Sequence, residues 1–203
     1  MTIDLGDENV WAVFPLQTVL FPGGALPLRI FEPRYIDMVG NCLRQGREFA
    51  VVAITQGHEA RPGAAFHSHG TLARIESWDQ GEDGLLHLLA RGTERCRVLD
   101  HITAPNGLVQ ARCARVAETA TPVSADFAYL ARLAESVFLE RPELAPARPW
   151  LFDDAAWLAY ACADLMPLDL GTRLAILTLD GATEKLAKVA NLLPPPASTT
   201  GLH

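Results

Sequence analysis

Residues 13–43 read "VFPLQTVLFPGGALPLRIFEPRYIDMVGNCL", and at their centre "LRIFEPRY" (28–35) sets two arginines and a glutamate among Leu, Ile, Phe and Tyr. A helix is expected to begin here. Pro33 suits the first helical position, where its missing N–H costs little. Glu32 favours the positive end of the helix dipole, and Gly46 suits the stop. The helix is therefore expected over 33–45, with Tyr35, Met38, Val39 and Cys42 or Leu43 on its buried stripe.

On either side of that helix, from Trp11 to about Val116, short apolar runs are broken by Gly, Pro and acidic turns, the pattern of a compact β structure. The clearest strands are "FAVVAITQG" (49–57), "GTLARIESW" (70–78), "GLLHLLARG" (84–92), "RCRVLDHI" (95–102) and "LVQARCARV" (108–116), with "DQGEDG" (79–84) as a hairpin loop. An antiparallel barrel, closed or strongly curled, is expected, because open edges on so small a sheet invite aggregation.

After "ETATPVSAD" (118–126) the apolar period changes from about two to about 3.6. Phe127, Leu130, Ala131, Ala134, Val137 and Phe138 share one helical face, and Trp157, Leu158, Ala161, Cys162 and Leu165 share another. A further helix is expected from Asp169 to Gly181, and a last one carries Leu186, Val189, Ala190 and Leu193. The fold class is thus α+β: a barrel with one inserted helix over 1–118, a helical bundle over 119–193, and a disordered tail, "PPPASTTGLH", over 194–203.

The 203 residues are 49% hydrophobic and 20% charged, with a net charge of −7. Residues 1–118 carry −3 (11 basic, 14 acidic) and residues 119–203 carry −4 (6 basic, 10 acidic), so neither half offers the basic field that phosphate backbones require. Cys42, Cys96, Cys113 and Cys162 form no C-x-x-C pair and are expected to be free buried thiols. With no signal-like start and no apolar run of about 18 residues, the chain is expected to be soluble and cytoplasmic.

Few residues point to chemistry. Lys185 and Lys188 are the only lysines and neither follows a glycine, which excludes a P-loop. None of the five serines lies in a G-x-S-x-G elbow. A Ser-Lys dyad needs a desolvated lysine, whereas "TEKLAKVA" reads as a helix with solvated lysine heads. His67 and His69, alternate residues of an extended segment, can share a metal with His58 or Glu59, but the remaining ligands are unspecified, and a polar loop is the plainer reading. Arg95 and Arg97, with Arg91, Arg112 and Arg115, form the one basic patch, for which a salt-bridged strand face is the expected state in so acidic a chain. Cys96 and Val98 then face the core.

The pattern "PL…LFPG…LPL.IFEPRY" within 13–43, continued by "FAVVAI" (49–54), "GTLARI" (70–75), "GTERCRV" (92–98) and "WLAYACADLMPLDLGTRLAILTLDGATEKLAKVANLL" (157–193), resembles the Lon protease N-terminal domain family, the substrate-binding domain of ATP-dependent Lon proteases. The resemblance covers most of the chain and implies a PUA-like β-barrel followed by a helical bundle. Cys96 stands where the family commonly has Phe. Full Lon proteases continue into ATPase and Ser-Lys protease modules, whereas this sequence resembles the free-standing bacterial members of the family.

In such a fold "LRIFEPRY" is expected to be architecture, with Phe31 and Tyr35 packed, Glu32 capping the helix and Glu32 paired with Arg29 or Arg34. The competing expectation is a recognition surface of Phe21, Arg29, Phe31, Glu32, Arg34 and Tyr35, since aromatic and arginine side chains favour peptide contacts. The resemblance implies a non-enzymatic, cofactor-free module that binds unfolded or hydrophobic polypeptide segments, with a protease or chaperone as a further partner. The alternatives are an RNA or nucleotide-ligand binder using a PUA-like barrel and its Arg95, Arg97 and Arg112 patch, and a metal-dependent hydrolase at His67 and His69.

Overall fold

The alternating face pattern of the strands and the wider apolar stripes of the helices produce two packed halves in the computed structural model, which describes residues 9–56 and 65–193. The first half comprises β1 (Val10–Leu16), β2 (Ala25–Ile30), α1 (Pro33–Gln45), β3 (Phe49–Gln56), β4 (Ala65–Gln80), β5 (Leu86–Thr103) and β6 (Val109–Val116). The second holds α2 (Ala128–Glu140), α3 (Ala155–Asp164), α4 (Leu170–Thr178) and α5 (Ala182–Leu192). His58, Glu59 and the 194–203 tail lie outside the described residues.

The sheet order is β2-β5-β4-β3-β1-β6, and a β5–β6 pairing closes five of the strands into a ring. β2 remains on the outside, hydrogen-bonded to the first part of β5. One pairing departs from the antiparallel expectation: β1 runs parallel to β3, with Val13 opposite Ala50. A parallel neighbour needs a long crossover, and the intervening 17–48 segment, carrying β2 and α1, provides it.

The two strands expected over 84–92 and 95–102 are one continuous β5. Gly92, expected to end the first of them, lies inside the strand: a Cβ there would collide with the carbonyl oxygen of Phe21. In-strand glycine of this kind marks the close approach of another backbone.

Successive residues of β3 feed opposite cores, as a period of two requires. Ala50 and Val52 join Trp11, Leu72, Cys96 and Ala111 in a cluster drawn from all five ring strands. Phe49 and Val51 join Phe14, Tyr35, Met38 and Val39 beneath α1. α1 spans the expected residues and ends at Gly46 with φ 62°, a left-handed stop that glycine adopts at no steric cost. Cys42 is its buried residue at the end of the stripe; Leu43 is exposed. All four cysteines are free and buried.

In the helical half, α2 buries Leu130, Ala134 and Phe138. α3, "AAWLAYACAD", is buried well beyond its expected face, with Ala155, Ala156, Ala159, Tyr160 and Ala163 added to Leu158, Ala161 and Cys162. A helix apolar nearly all round belongs at the centre of a bundle. Asp154 caps it, accepting from the Trp157 N–H at 2.8 Å, and Asp169 caps α4 by accepting from the Thr172 N–H at 2.9 Å. No helix among the described residues is long and apolar enough to cross a membrane.

Candidate functional site

The "LFPGG" turn (20–24) between β1 and β2 leaves the barrel and enters the bundle. Phe21 is fully buried in the helical core, its ring stacked on Tyr160 at 5.2 Å. The Gly23 N–H donates to the Gly92 carbonyl at 2.8 Å, and the Gly24 N–H to the Phe21 carbonyl at 3.0 Å. With φ at 82°, Gly23 takes a turn that a side chain would strain. Phe21, a candidate surface contact on sequence grounds, is thus a peg between the halves.

A charged cluster lies beside that peg. Glu118, just after β6, accepts from the Lys185 Nζ at 3.1 and 2.9 Å and from the Tyr160 hydroxyl at 2.5 Å. Arg95 Nε lies 2.5 Å from the same carboxylate, and Arg95 Nη1 donates to the carbonyls of Leu177 and Leu179 at 3.1 Å. Lys185 is 0% exposed, so the expected solvated head is a buried ammonium. The helical period places it beside Leu186 and Val189; what its local sequence does not reveal is an acid from outside the helix. Burial pushes its pKa below the ordinary lysine value, and the Glu118 carboxylate opposes that shift. Burial and the same carboxylate raise the Tyr160 hydroxyl. The desolvated lysine therefore faces a carboxylate and a phenol.

The seam between the halves opens into two adjoining clefts of about 450 and 460 Å3, which share Pro22, Gly23, Arg91 and Trp157. In the first, Arg173 pairs with Asp164 at 2.5 Å, donates to the Val19 carbonyl at 2.9 Å, and stands over the Phe21 ring at 4.6 Å. Burial raises the Asp164 carboxyl and Arg173 opposes the shift. In the second, Leu151, Trp157 and Tyr160 supply an apolar wall, and Arg74 and Arg91 stand at the barrel side. A concave, largely apolar site with a few placed polar groups is the usual form of a binding site.

Residues 10–194 match the family described as the ATP-dependent protease La (LON) substrate-binding domain. The chain belongs to this Lon substrate-binding domain family. It is similar to the crystal structure of a Lon N-terminal domain protein from Xanthomonas campestris, at 34% identity and TM-score 0.75, over 92% of this chain and 99% of that one. It is also 32% identical over 125 residues to protein cereblon of Gallus gallus, covering 58% of this chain and 27% of that protein. A Lon protease of Anaeromyxobacter dehalogenans (strain 2CP-C) is 29% identical over 153 residues, covering 70% of this chain and 18% of that protein. The chain thus spans about a fifth to a quarter of the length of the curated relatives it matches.

Within this Lon-type domain, the "IFEPRY" segment (30–35) divides between architecture and surface. Arg34 Nε donates to Glu32 at 2.9 Å and its Nη1 to the Gly107 carbonyl at 2.8 Å, tying the start of α1 to the β5–β6 turn. Tyr35 is buried against Phe14, with ring centroids 4.1 Å apart. Glu32 occupies the N-cap position but makes no side-chain capping bond. Its carboxylate goes to Arg34 instead, while Arg29 pairs with Asp83 across the β4–β5 turn at 2.5 Å. Phe31, expected to pack, is 62% exposed, and Ile36 and Leu43 on α1 are also exposed.

The basic patch disperses in the same way. Arg95 is buried in the seam, Arg91 pairs with Glu76, Arg112 with Asp100, and Arg115 with Glu48 and Glu94. Arg97 is exposed. His67 and His69 do come together, their rings 5.5 Å apart, but the His67 Nδ1 accepts the backbone N–H of His69 at 3.1 Å. Among the described residues no group of three metal-ligating side chains converges.

Proposed function

We propose that this Lon-type domain is a non-catalytic, cytoplasmic polypeptide-binding module that holds unfolded or hydrophobic segments and can present them to a protease or chaperone. The match of residues 10–194 to a substrate-binding domain carries the reading. The exposed aromatic and aliphatic groups Phe31, Ile36 and Leu43 and the apolar-walled seam support it, because such surfaces gain most from covering an extended apolar chain. Arg29 and Phe31 are proposed contacts at the α1 end, while Glu32, Arg34 and Tyr35 support that surface from beneath. The dispersal of the arginines into ion pairs weakens the nucleic-acid alternative.

The test is fluorescence anisotropy of a permanently unfolded, dye-labelled casein titrated with the purified chain over a range of salt. Micromolar binding with a shallow salt dependence is the expected result. A folded chain that leaves the casein free, or that retains RNA in preference to casein, overturns the reading.

A further inference from the structure

On the outer face of the barrel, Arg74 of β4 is directly opposite Arg91 of β5. Like charges placed opposite each other across strands repel. Arg91 is relieved by Glu76, to which its Nε and Nη2 donate at 3.0 and 2.7 Å, and by the Gly23 carbonyl at 3.2 Å. Arg74 has no such relief: it is exposed and makes no hydrogen bond or ion pair among the described residues.

The acids of the same cleft are committed elsewhere. Glu118 serves Arg95, Lys185 and Tyr160. Asp154 accepts from the backbone N–H groups of Trp157 and Thr121 at 2.8 and 3.3 Å. Of the charged side chains lining this cleft, Arg74 alone makes neither a hydrogen bond nor an ion pair among the described residues.

The same cleft is lined by the exposed Leu151 and the half-buried Trp157, whose indole N–H has no acceptor among the described residues. That N–H lies beside Gly23, where even an added Cβ would sit 3.9 Å from it. Buried indoles ordinarily find an acceptor; this half-buried one leaves its N–H donor open at the cleft wall.

We infer that the seam cleft bounded by Arg74, Leu151 and Trp157 holds an extended polypeptide segment whose apolar side chains are accompanied by a carboxylate. This rests on the polypeptide-binding reading and gives it a place and a preference. The apolar side chains cover Leu151 and the Trp157 ring, a peptide carbonyl accepts from the indole N–H, and the carboxylate neutralises Arg74. The adjoining cleft beyond Trp157 lets the chain continue instead of ending there. The carboxylate comes from an Asp or Glu side chain or from a chain terminus, and the experiment separates the two.

Dye-labelled hexapeptides of Leu, Val and Phe are titrated with the full chain by anisotropy in three forms: an internal Glu with an amidated end, an internal Gln with a free end, and an internal Gln with an amidated end. At least one carboxylate-bearing form is expected to bind about tenfold more tightly than the carboxylate-free form, the worth of one charge-assisted contact, and the form that does so identifies the source. Arg74→Gln, at an exposed position, keeps the fold and abolishes the preference; Leu151→Asp weakens all three peptides. Equal affinity for the three forms, or an undiminished preference in Arg74→Gln, overturns the inference. Casein separates the two levels: binding that is equal in wild type and both variants keeps the polypeptide reading and removes the cleft, whereas no casein binding removes both.

Discussion

Lys185 in α5 donates to both carboxylate oxygens of Glu118, which stands 67 residues earlier at the end of the barrel. Arg95 reaches the same carboxylate from β5, so one acid neutralises two buried cations from opposite halves. Removing a single partner from such a cluster leaves an uncompensated charge out of water, which is far costlier than the pair itself is stabilising.

Glu118→Gln is therefore expected to destabilise the chain by about 3 kcal/mol or more, the cost typical of orphaning a buried ion. Lys185→Met should cost less, because Glu118 keeps Arg95 and the methionine fills the apolar volume around Leu186 and Val189. Urea unfolding of the two variants checks the order. A Glu118→Gln chain as stable as wild type would contradict this account of the seam.

Phe21→Ala tests the peg. The side chain is fully buried among α3 and its neighbours, and truncating such a phenylalanine costs about 3–5 kcal/mol. Chemical denaturation should show the loss in both halves together, since the ring belongs to the core of one and the backbone of the other.

Gly92→Ala adds a Cβ against the Phe21 carbonyl and should cost about 1–3 kcal/mol, as overpacking does. Thermal unfolding reads this directly. Gly46→Asn offers the contrast: nothing lies within 4 Å of that site and Asn tolerates a positive φ, so its loss should be smaller.

The Asp83 carboxyl is lowered to about 2, first by the Arg29 guanidinium and then by the Leu85 N–H. Its folded value lies below the ordinary one, so its contribution to stability is present above about pH 4 and fades as the pH falls toward 2. Arg29→Ala should return the carboxyl toward the ordinary aspartate range in a side-chain NMR titration. An unchanged titration would show that Arg29 is not the partner that matters.

Much of this fold is legible in local sequence. The Pro33 start and Gly46 stop of α1, and the Asp169 start of α4, depend on backbone groups one to four residues away. Gly92 resembles a strand end because the reason for it, the Phe21 backbone, lies far off in sequence. The parallel β1–β3 pairing is hidden for the same cause, since a period of two says which face a residue takes but not which way its neighbour runs.

The candidate site is less legible. Lys185 and Arg95 resemble surface charges because the carboxylate that allows their burial comes from a third segment. Phe21 stands beside two flexible glycines, a setting that suggests exposure, yet it is the peg. Phe31 stands among aromatic and aliphatic neighbours, a setting that suggests packing, yet it faces solvent. The seam cleft draws Gly23, Arg74, Arg91 and Trp157 from four separate segments, and no local signal joins them.

The most direct measurement is backbone amide hydrogen exchange of the full chain with and without saturating unfolded casein. Slower exchange in the 20–25 turn, around Arg91 in β5 and along the start of α3 is the expected result, since these segments line the seam. Exchange unchanged throughout a folded chain would contradict polypeptide binding itself, and protection confined to α1 would place it away from the seam.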